Sequence, residues 1–185
     1  MSIAVGLLVF AFVLLYFVMA NNRLVALRRR CDRAFADIDV QMKQRHDLIP
    51  NLVETVKGYT AHERGSLEAI AQARATAIRA ASADERMRAE TRLGRQLGQV
   101  LAMAETYPDL KASVHFSALR DEIGDIENKI AAARRFLNLA VAEYNTSLEQ
   151  FPGSVVGPMF GASVRSPFDL GIERVFLEET PVVKF

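Results

Sequence analysis

The sequence has no tryptophan, a single cysteine and almost no net charge, and each of these features excludes a structural element or a class of partner. Cys31 has no second cysteine with which to form an intramolecular disulfide, which fits a reducing compartment. Lys and Arg number 23 against 22 for Asp and Glu, so no surplus positive charge favours phosphate backbones. We therefore exclude nucleic acid as a partner. Without tryptophan the usual aromatic anchor of a membrane interface is missing, although Tyr16 and Phe17 lie near one end of an apolar run.

The apolar run covers residues 3–20 and contains no charged residue. As a helix it would span roughly 27 Å, about the thickness of the hydrocarbon core of a bilayer. A cleaved signal peptide is the alternative, because Val18-Met19-Ala20 resembles a cleavage site. However, no Lys or Arg precedes the run, and the run is longer than the apolar core of a signal peptide. We predict an uncleaved transmembrane anchor over residues 1–22.

Four arginines follow the apolar run and none precedes it: Arg23, Arg28, Arg29 and Arg30. The positive-inside rule then predicts a cytoplasmic domain and an N-terminus on the outer side of the membrane. Arg28, Arg29 and Arg30 also form a candidate basic cluster for anionic lipid headgroups. The alternative is that these arginines do no more than stop translocation.

Apolar residues recur at every third or fourth position from Leu24 to Tyr59, and again from Phe116 to Leu148. This spacing predicts two long amphipathic helices, the second with a heptad seam like that of a coiled coil. Arg45 is the one interruption of the first series. An arginine at a core position must extend to solvent or find a carboxylate.

Two shorter helices are predicted between the long ones, because two residue pairs match the capping box that opens a helix. The pairs are Thr60 with Glu63 and Ser82 with Glu85. Tyr107-Pro108-Asp109 then interrupts the chain, since a residue before proline avoids the helical region.

Glycine and proline inside the helical stretches predict local departures from regular helix. Pro50 predicts a kink or a break near residues 47–50, and Gly58 a helix end. Gly94 and Gly98 lie one turn apart, and each costs about 1 kcal/mol against alanine. We expect close approach of a neighbouring helix to compensate.

The predicted fold is all-α: an N-terminal transmembrane helix followed by an antiparallel up-down-up-down four-helix bundle over residues 23–150, with two long and two shorter helices. Only part of such a bundle can be four helices thick. If the last helix returns toward the bilayer, the thin part is membrane-proximal, and either the C-terminal tail or a second protomer must cover it.

Residues 151–185 form the predicted tail, where the helical period disappears and glycine and proline recur. The tail holds too many large apolar side chains for a free segment: Phe151, Phe160, Phe168 and Phe176. We expect it to be partly docked.

No catalytic motif is recognisable. The residues three before the histidines are Lys43, Tyr59 and Ala112, so no Glu-x-x-His pair of a di-iron bundle occurs. No nucleophile elbow or phosphate-binding loop occurs either. We predict no metal, no cofactor and no enzymatic activity.

Charged side chains crowd one stretch of the first long helix: Asp37, Asp39, Lys43, Arg45, His46 and Asp47. For Arg45, Glu127 and Asp125 on the last long helix are candidate partners. A structural ion pair is the first interpretation, and a ligand or partner contact the alternative.

The sequence resembles the LemA family over nearly its whole length. The resemblance lies in residues 37–41 and 45–59, which include Pro50 and Asn51, and in these further residues: His62-Glu63, Ala73-Arg74, residues 107–112, Glu127-Asn128, Ala133-Arg134, Tyr144-Asn145, Phe151-Pro152 and Pro181-Val182-Val183-Lys184-Phe185. One departure is visible: where the family usually has Tyr and Asn after the arginine of the last long helix, this chain has Arg135-Phe136-Leu137-Asn138, so a role tied to that aromatic hydroxyl is in doubt.

The resemblance implies a single-pass protein of the bacterial cytoplasmic (inner) membrane, with a helical bundle and no established activity, linked loosely to the envelope and to membrane proteases. Three functions compete. The first is a scaffold or adaptor that binds a second copy or another membrane protein. The second is an enzyme or ligand-binding bundle using Asp39, Arg45 and His46. The third is a lipid-surface protein acting through Arg28, Arg29 and Arg30.

Overall fold

A computed structural model describes residues 2–60 and 63–168, and all regular structure in these residues is helical. The helices in this part of the chain are α1 (Ser2–Lys57), α2 (Arg64–Arg79), α3 (Ala83–Ala104), α4 (Pro108–Lys111), α5 (Val114–Glu149) and α6 (Gly153–Met159). The all-α prediction is confirmed. His62, Phe176 and the closing residues 181–185 lie outside the described residues.

The first third of α1 is an exposed apolar helix. Leu8, Phe12 and almost all their neighbours up to Met19 are exposed. The helix is long and apolar enough to cross a membrane. So much apolar area in contact with water would be strongly unfavourable, which suggests that this part of α1 anchors the chain in a membrane.

The rest of the molecule packs around two separate groups of buried side chains. The near cluster, next to the apolar helix, comprises residues of α1 from Leu24 to Met42 and of α5 from Ile126 to Leu148, with Val156 and Phe168 from beyond α5. The far cluster comprises Ile49, Leu52 and Val56 of α1, Phe116 and Ile123 of α5, and residues of α2, α3 and α4. The chain after α5 thus covers the half that α2 and α3 leave uncovered.

Ion pairs define the directions of the long helices. Arg30 Nη1 lies 2.6 Å from Glu143 Oε2, and Arg45 Nη1 lies 2.7 Å from Glu127 Oε1. Positions that rise along α1 are therefore matched by positions that fall along α5, so the two helices are antiparallel. The α2–α3 pair is joined by a short turn. α2 packs on α1, and α3 reaches α1 through the ion pair of Glu90 with Arg45.

Three local expectations for α1 and α2 need correction. α1 does not break at Pro50 but continues to Lys57, one residue before the predicted stop at Gly58. Thr60 does not cap α2, because its hydroxyl donates back to the Val56 carbonyl at 3.0 Å. α2 instead begins at Arg64, with no side-chain cap from Glu63.

The prediction for the start of α3 agrees with the structure. The capping box of Ser82 and Glu85 is confirmed at the start of α3. Two short helices, α4 and α6, were not expected, because pieces of four and seven residues are too short to show a period. Gly94 lies against the Arg45 side chain, but Gly98 faces open space, so the expected helix contact at Gly98 is wrong.

Candidate functional site: a buried ion cluster

Arg45 lies at the boundary between the near and far clusters. Its neighbours along the α1 stripe are Met42, in the near cluster, and Ile49, in the far one. The Arg45 side chain is 1% exposed, so α1 carries a permanent charge into the interior. Such a charge is tolerated only when it is paired and hydrogen-bonded.

The guanidinium of Arg45 binds carboxylates from two other helices. Nη1 donates to Glu127 of α5 at 2.7 Å, while Nη2 donates to the Glu90 carboxylate and, at 3.4 Å, to the Glu90 carbonyl on α3. Gly94, one turn after Glu90, leaves room beside Nη1. One side chain therefore ties α1 to both α3 and α5.

Glu90 is as buried as Arg45, and its second carboxylate oxygen faces His46. His46 Nε2 lies 2.9 Å from Glu90 Oε1, which makes an ion pair when the imidazole is protonated. Burial alone raises the pKa of Glu90, but His46 and Arg45 together outweigh this effect and hold the pKa below its ordinary value. Glu90 is thus an ionised group inside the protein.

The backbone next to the cluster explains why Pro50 does not break α1. Proline has no N–H, so the carbonyl four residues earlier, that of His46, loses its helical partner. Arg74 of α2 donates from Nε to this carbonyl at 2.7 Å. The substitute bond satisfies the carbonyl and ties α2 to the middle of α1.

Two ion pairs nearer the surface surround the buried cluster. Arg86 Nη1 lies 2.9 Å from Asp39 Oδ1 and joins the start of α3 to α1. Lys43 and Asp47 pair at 2.6 Å along α1, and the hydrogen bond from Lys43 lowers the pKa of Asp47. An open cavity of about 330 Å³ lies between these groups, with His46, Glu90 and Arg74 in its wall.

Several predicted residues lie away from this cluster. Asp37, Pro50, Asn51 and Asn128 are exposed, as is Asp125, the alternative partner proposed for Arg45. Glu63 instead accepts a long hydrogen bond of 3.5 Å from the Tyr107 hydroxyl.

Two of the predicted basic residues, Arg134 and Arg30, contact other parts of the chain. Arg134 lies against Phe168, after α5, and Arg30 lies against α5. The Arg134 guanidinium lies 4.8 Å from the centre of the Phe168 ring. Arg28, Arg29 and Arg30 are all exposed, but Arg30 binds Glu143 and lies over the Phe136 ring, so it faces the protein. Of the three arginines of the predicted basic cluster, Arg30 therefore contacts α5.

Sequence reasoning missed Glu90, Arg74 and Arg86. A signal existed for Glu90, since it precedes Leu93, Leu97 and Val100 at helical spacing and so occupies a seam position of α3, as Arg45 does in α1. Two charged residues at seam positions of different helices predict a buried pair. No comparable pattern marks Arg74 or Arg86.

The cluster forms a network of ion pairs within the protein. Its charged groups bind one another across three helices, and no group of three or more metal-binding side chains is assembled in residues 2–60 and 63–168. The site belongs to an all-helical protein whose long apolar helix continues into a helical bundle crossed by buried ion pairs.

Comparison with known proteins identifies the family. The sequence profile of the LemA family matches residues 34–185, so the chain belongs to the LemA family. It is also similar to the magnetosome protein MamQ of Magnetospirillum gryphiswaldense, with 21% identity over 169 residues that cover 77% of this chain. The match spans 62% of the length of MamQ.

We predict that Arg45 and Glu90 are strongly coupled in folding stability. Glu90→Leu should lower the free energy of unfolding by about 3–5 kcal/mol, because it leaves a buried guanidinium with one partner fewer. The double variant Arg45→Met/Glu90→Leu should lose less than Glu90→Leu alone. Denaturant unfolding of the full chain in detergent micelles measures the stability of Arg45→Met, of Glu90→Leu and of the double variant. If the double variant loses as much stability as the two single variants together, the pairing is contradicted.

We also predict an acid-labile fold. A carboxyl whose pKa is depressed in the folded state adds stability above its unfolded pKa, near 4.5, and this stability is lost as the pH falls through the folded value. Glu90→Gln should therefore flatten the decline in stability below about pH 4.5. The free energy of unfolding, measured from pH 7 down to pH 3 for the natural protein and for Glu90→Gln, tests this. If stability declines in parallel in the two proteins, Glu90 is not a source of the acid lability. Glu85 and Asp47, whose pKa values are also lowered, contribute equally to both curves.

Proposed function

We propose that this LemA-family protein is a membrane-anchored, non-catalytic scaffold or adaptor of the bacterial cytoplasmic membrane. α1, α2, α3 and α5 would form an up-down-up-down bundle that presents helical faces to a second copy or to another membrane protein, such as a membrane protease. The observation that carries the proposal is the apolar outer face of α5. In support, Arg45, Glu90 and Arg74 bind groups on other helices and so contribute to the packing of the bundle.

The outer face of α5 is apolar in the near half of the bundle. Leu139 is 69% exposed, and Phe136, one turn away, is 42% exposed with its ring partly covered by Arg30. α2 and α3 pack around the far cluster and do not cover this face. Large exposed aliphatic and aromatic side chains beside an arginine have the composition of a protein-binding surface.

A photo-reactive amino acid in place of Leu139 should crosslink in native membranes, and one in place of Lys129, an exposed polar position on α5, should not. An adduct of twice the chain's mass indicates self-assembly, and an adduct with a different membrane protein indicates an adaptor. Leu139→Glu should abolish the complex while Lys129→Glu preserves it. Absence of any adduct from position 139, or equal adducts from both positions, contradicts the proposal.

We further propose that the bundle lies in the cytoplasm and the N-terminus outside, because Arg23, Arg28 and Arg29 follow the apolar segment and are exposed. Val114, at the far end of the bundle, is well exposed, whereas Cys31 is buried and should react slowly. In spheroplasts, Val114→Cys should react with a membrane-impermeant maleimide only after the membrane is opened. Immediate labelling of intact spheroplasts would reverse the orientation.

One observation favours a second candidate, an enzyme or ligand-binding bundle. The cavity beside the cluster brings Asp39, His46 and Glu90 to one wall, with Arg74 and Arg86 nearby. Carboxylates and an imidazole at one cavity are suited to acid–base chemistry. If this candidate is correct, the purified chain should turn over or bind a small anionic or phosphorylated compound, and His46→Ala should remove that activity without unfolding the protein. If a broad screen finds neither turnover nor binding, this second candidate is rejected in favour of the scaffold or adaptor.

A further inference from the structure

Residues 151–164 carry no charge and expose large apolar side chains. Phe151 is 69% exposed, Met159 73% and Phe160 66%, and Val155 is also exposed. Single exposed apolar residues are ordinary, but these four lie within residues 151–160. Such a concentration on a short segment requires a partner.

The segment lies at the level where the apolar helix ends. Arg30 and Glu143 face each other across the antiparallel pair, so Gln150, seven residues further along α5, is level with Arg23, seven residues back along α1. The next residue, Phe151, stacks its ring on Tyr16 with 6.3 Å between ring centres. Tyr16 belongs to the apolar run itself, so Phe151 contacts the anchor.

α6 is held tightly on one side. A Cβ at Gly153 would overlap the carbonyl oxygen of Ser147, and one at Gly157 would overlap the side chain of Leu148. Val156 is buried in the near cluster. The last turn of α5 thus fixes one face of α6, and the apolar side chains of the other face point away from the protein.

The return path of the chain is also fixed. Tyr144 donates from its hydroxyl to the Ser163 carbonyl at 3.1 Å, and the Asn145 side chain bonds both backbone groups of Arg165 at 2.8 and 3.0 Å. Arg165 then pairs with Asp32 at 2.7 Å. Asp32 lies about 18 Å beyond the end of the apolar run, so among the described residues after α5, up to Phe168, those near α6 are the ones beside the anchor.

We propose that residues 151–160 are a second lipid-contacting element, which lies in the membrane interface beside the anchor and inserts Phe151, Met159 and Phe160 among headgroups and upper acyl chains. A short apolar element of this kind penetrates about 5–10 Å. The exposed Arg28 and Arg29 lie on the aqueous side of this level, where they meet anionic headgroups. The inference rests on the membrane anchoring included in the proposed function.

The test uses the full chain with Cys31→Ala, reconstituted in phosphatidylcholine and phosphatidylglycerol vesicles. A nitroxide is attached in turn to Met159→Cys and Phe160→Cys, with Leu7→Cys as the deep control and Val114→Cys as the aqueous control. Power saturation compares collisions with oxygen, which concentrates in the bilayer, and with a nickel chelate, which stays in water. Oxygen should dominate at 159 and 160, less strongly than at position 7, while nickel dominates at 114.

Each other outcome overturns a distinct statement. Nickel dominance at 159 and 160 with oxygen dominance at 7 overturns the interfacial element and leaves the anchor intact. Nickel dominance at 7 as well overturns the membrane anchoring and the inference with it. Shielding of 159 and 160 from both reagents, with spin–spin broadening between labelled chains, shows that a second copy covers α6 and overturns lipid as its partner.

Discussion

Arg45 places a permanent positive charge in an otherwise apolar stripe of α1, and the packing of three helices depends on how that charge is neutralised. Glu90 must come from α3 and Glu127 from α5, each at the height of Arg45. A slip of α3 by one turn would separate the buried charges of Arg45 and Glu90, at a cost of several kcal/mol. A slip of α5 would remove the second partner of Arg45, Glu127, which is 39% exposed. The cluster therefore favours one register of α1 relative to α3 and α5.

The cluster also marks the junction between two differently built halves. Beyond it, α2, α3 and α4 complete a core around the ends of α1 and α5. Before it, the α1–α5 pair is covered by the chain after α5, through Val156 and Phe168. The far half is closed by short local connections, while the near half leaves apolar side chains such as Leu139, Met159 and Phe160 exposed. Both surfaces for which we propose partners thus lie in the near half.

Local patterns in the sequence predict much of this fold. The seams of α1 and α5 and the Ser82–Glu85 cap follow from spacing and charge. Glu127 was one of two candidate partners for Arg45, and the structure selects it. The continuity of α1 through Pro50 does not, because the substitute donor, Arg74, comes from a different helix.

Similarly, the position of α6 depends on a close fit to the last turn of α5 that no periodicity encodes. Glu90 falls between these cases, since its seam position was visible in the sequence but its partner depends on the tertiary register of the helices.

The most direct measurement of the central claim, that Arg45 joins three helices, is hydrogen–deuterium exchange of the full chain in lipid nanodiscs, for the natural protein and for Arg45→Lys. Lysine keeps the charge but cannot bridge two carboxylates as the guanidinium does. Amides around Glu90 and Glu127 should exchange faster in the variant, with the near half of α1 and α5 unchanged. Faster exchange confined to α1, or none at all, would contradict the view that Arg45 joins the three helices.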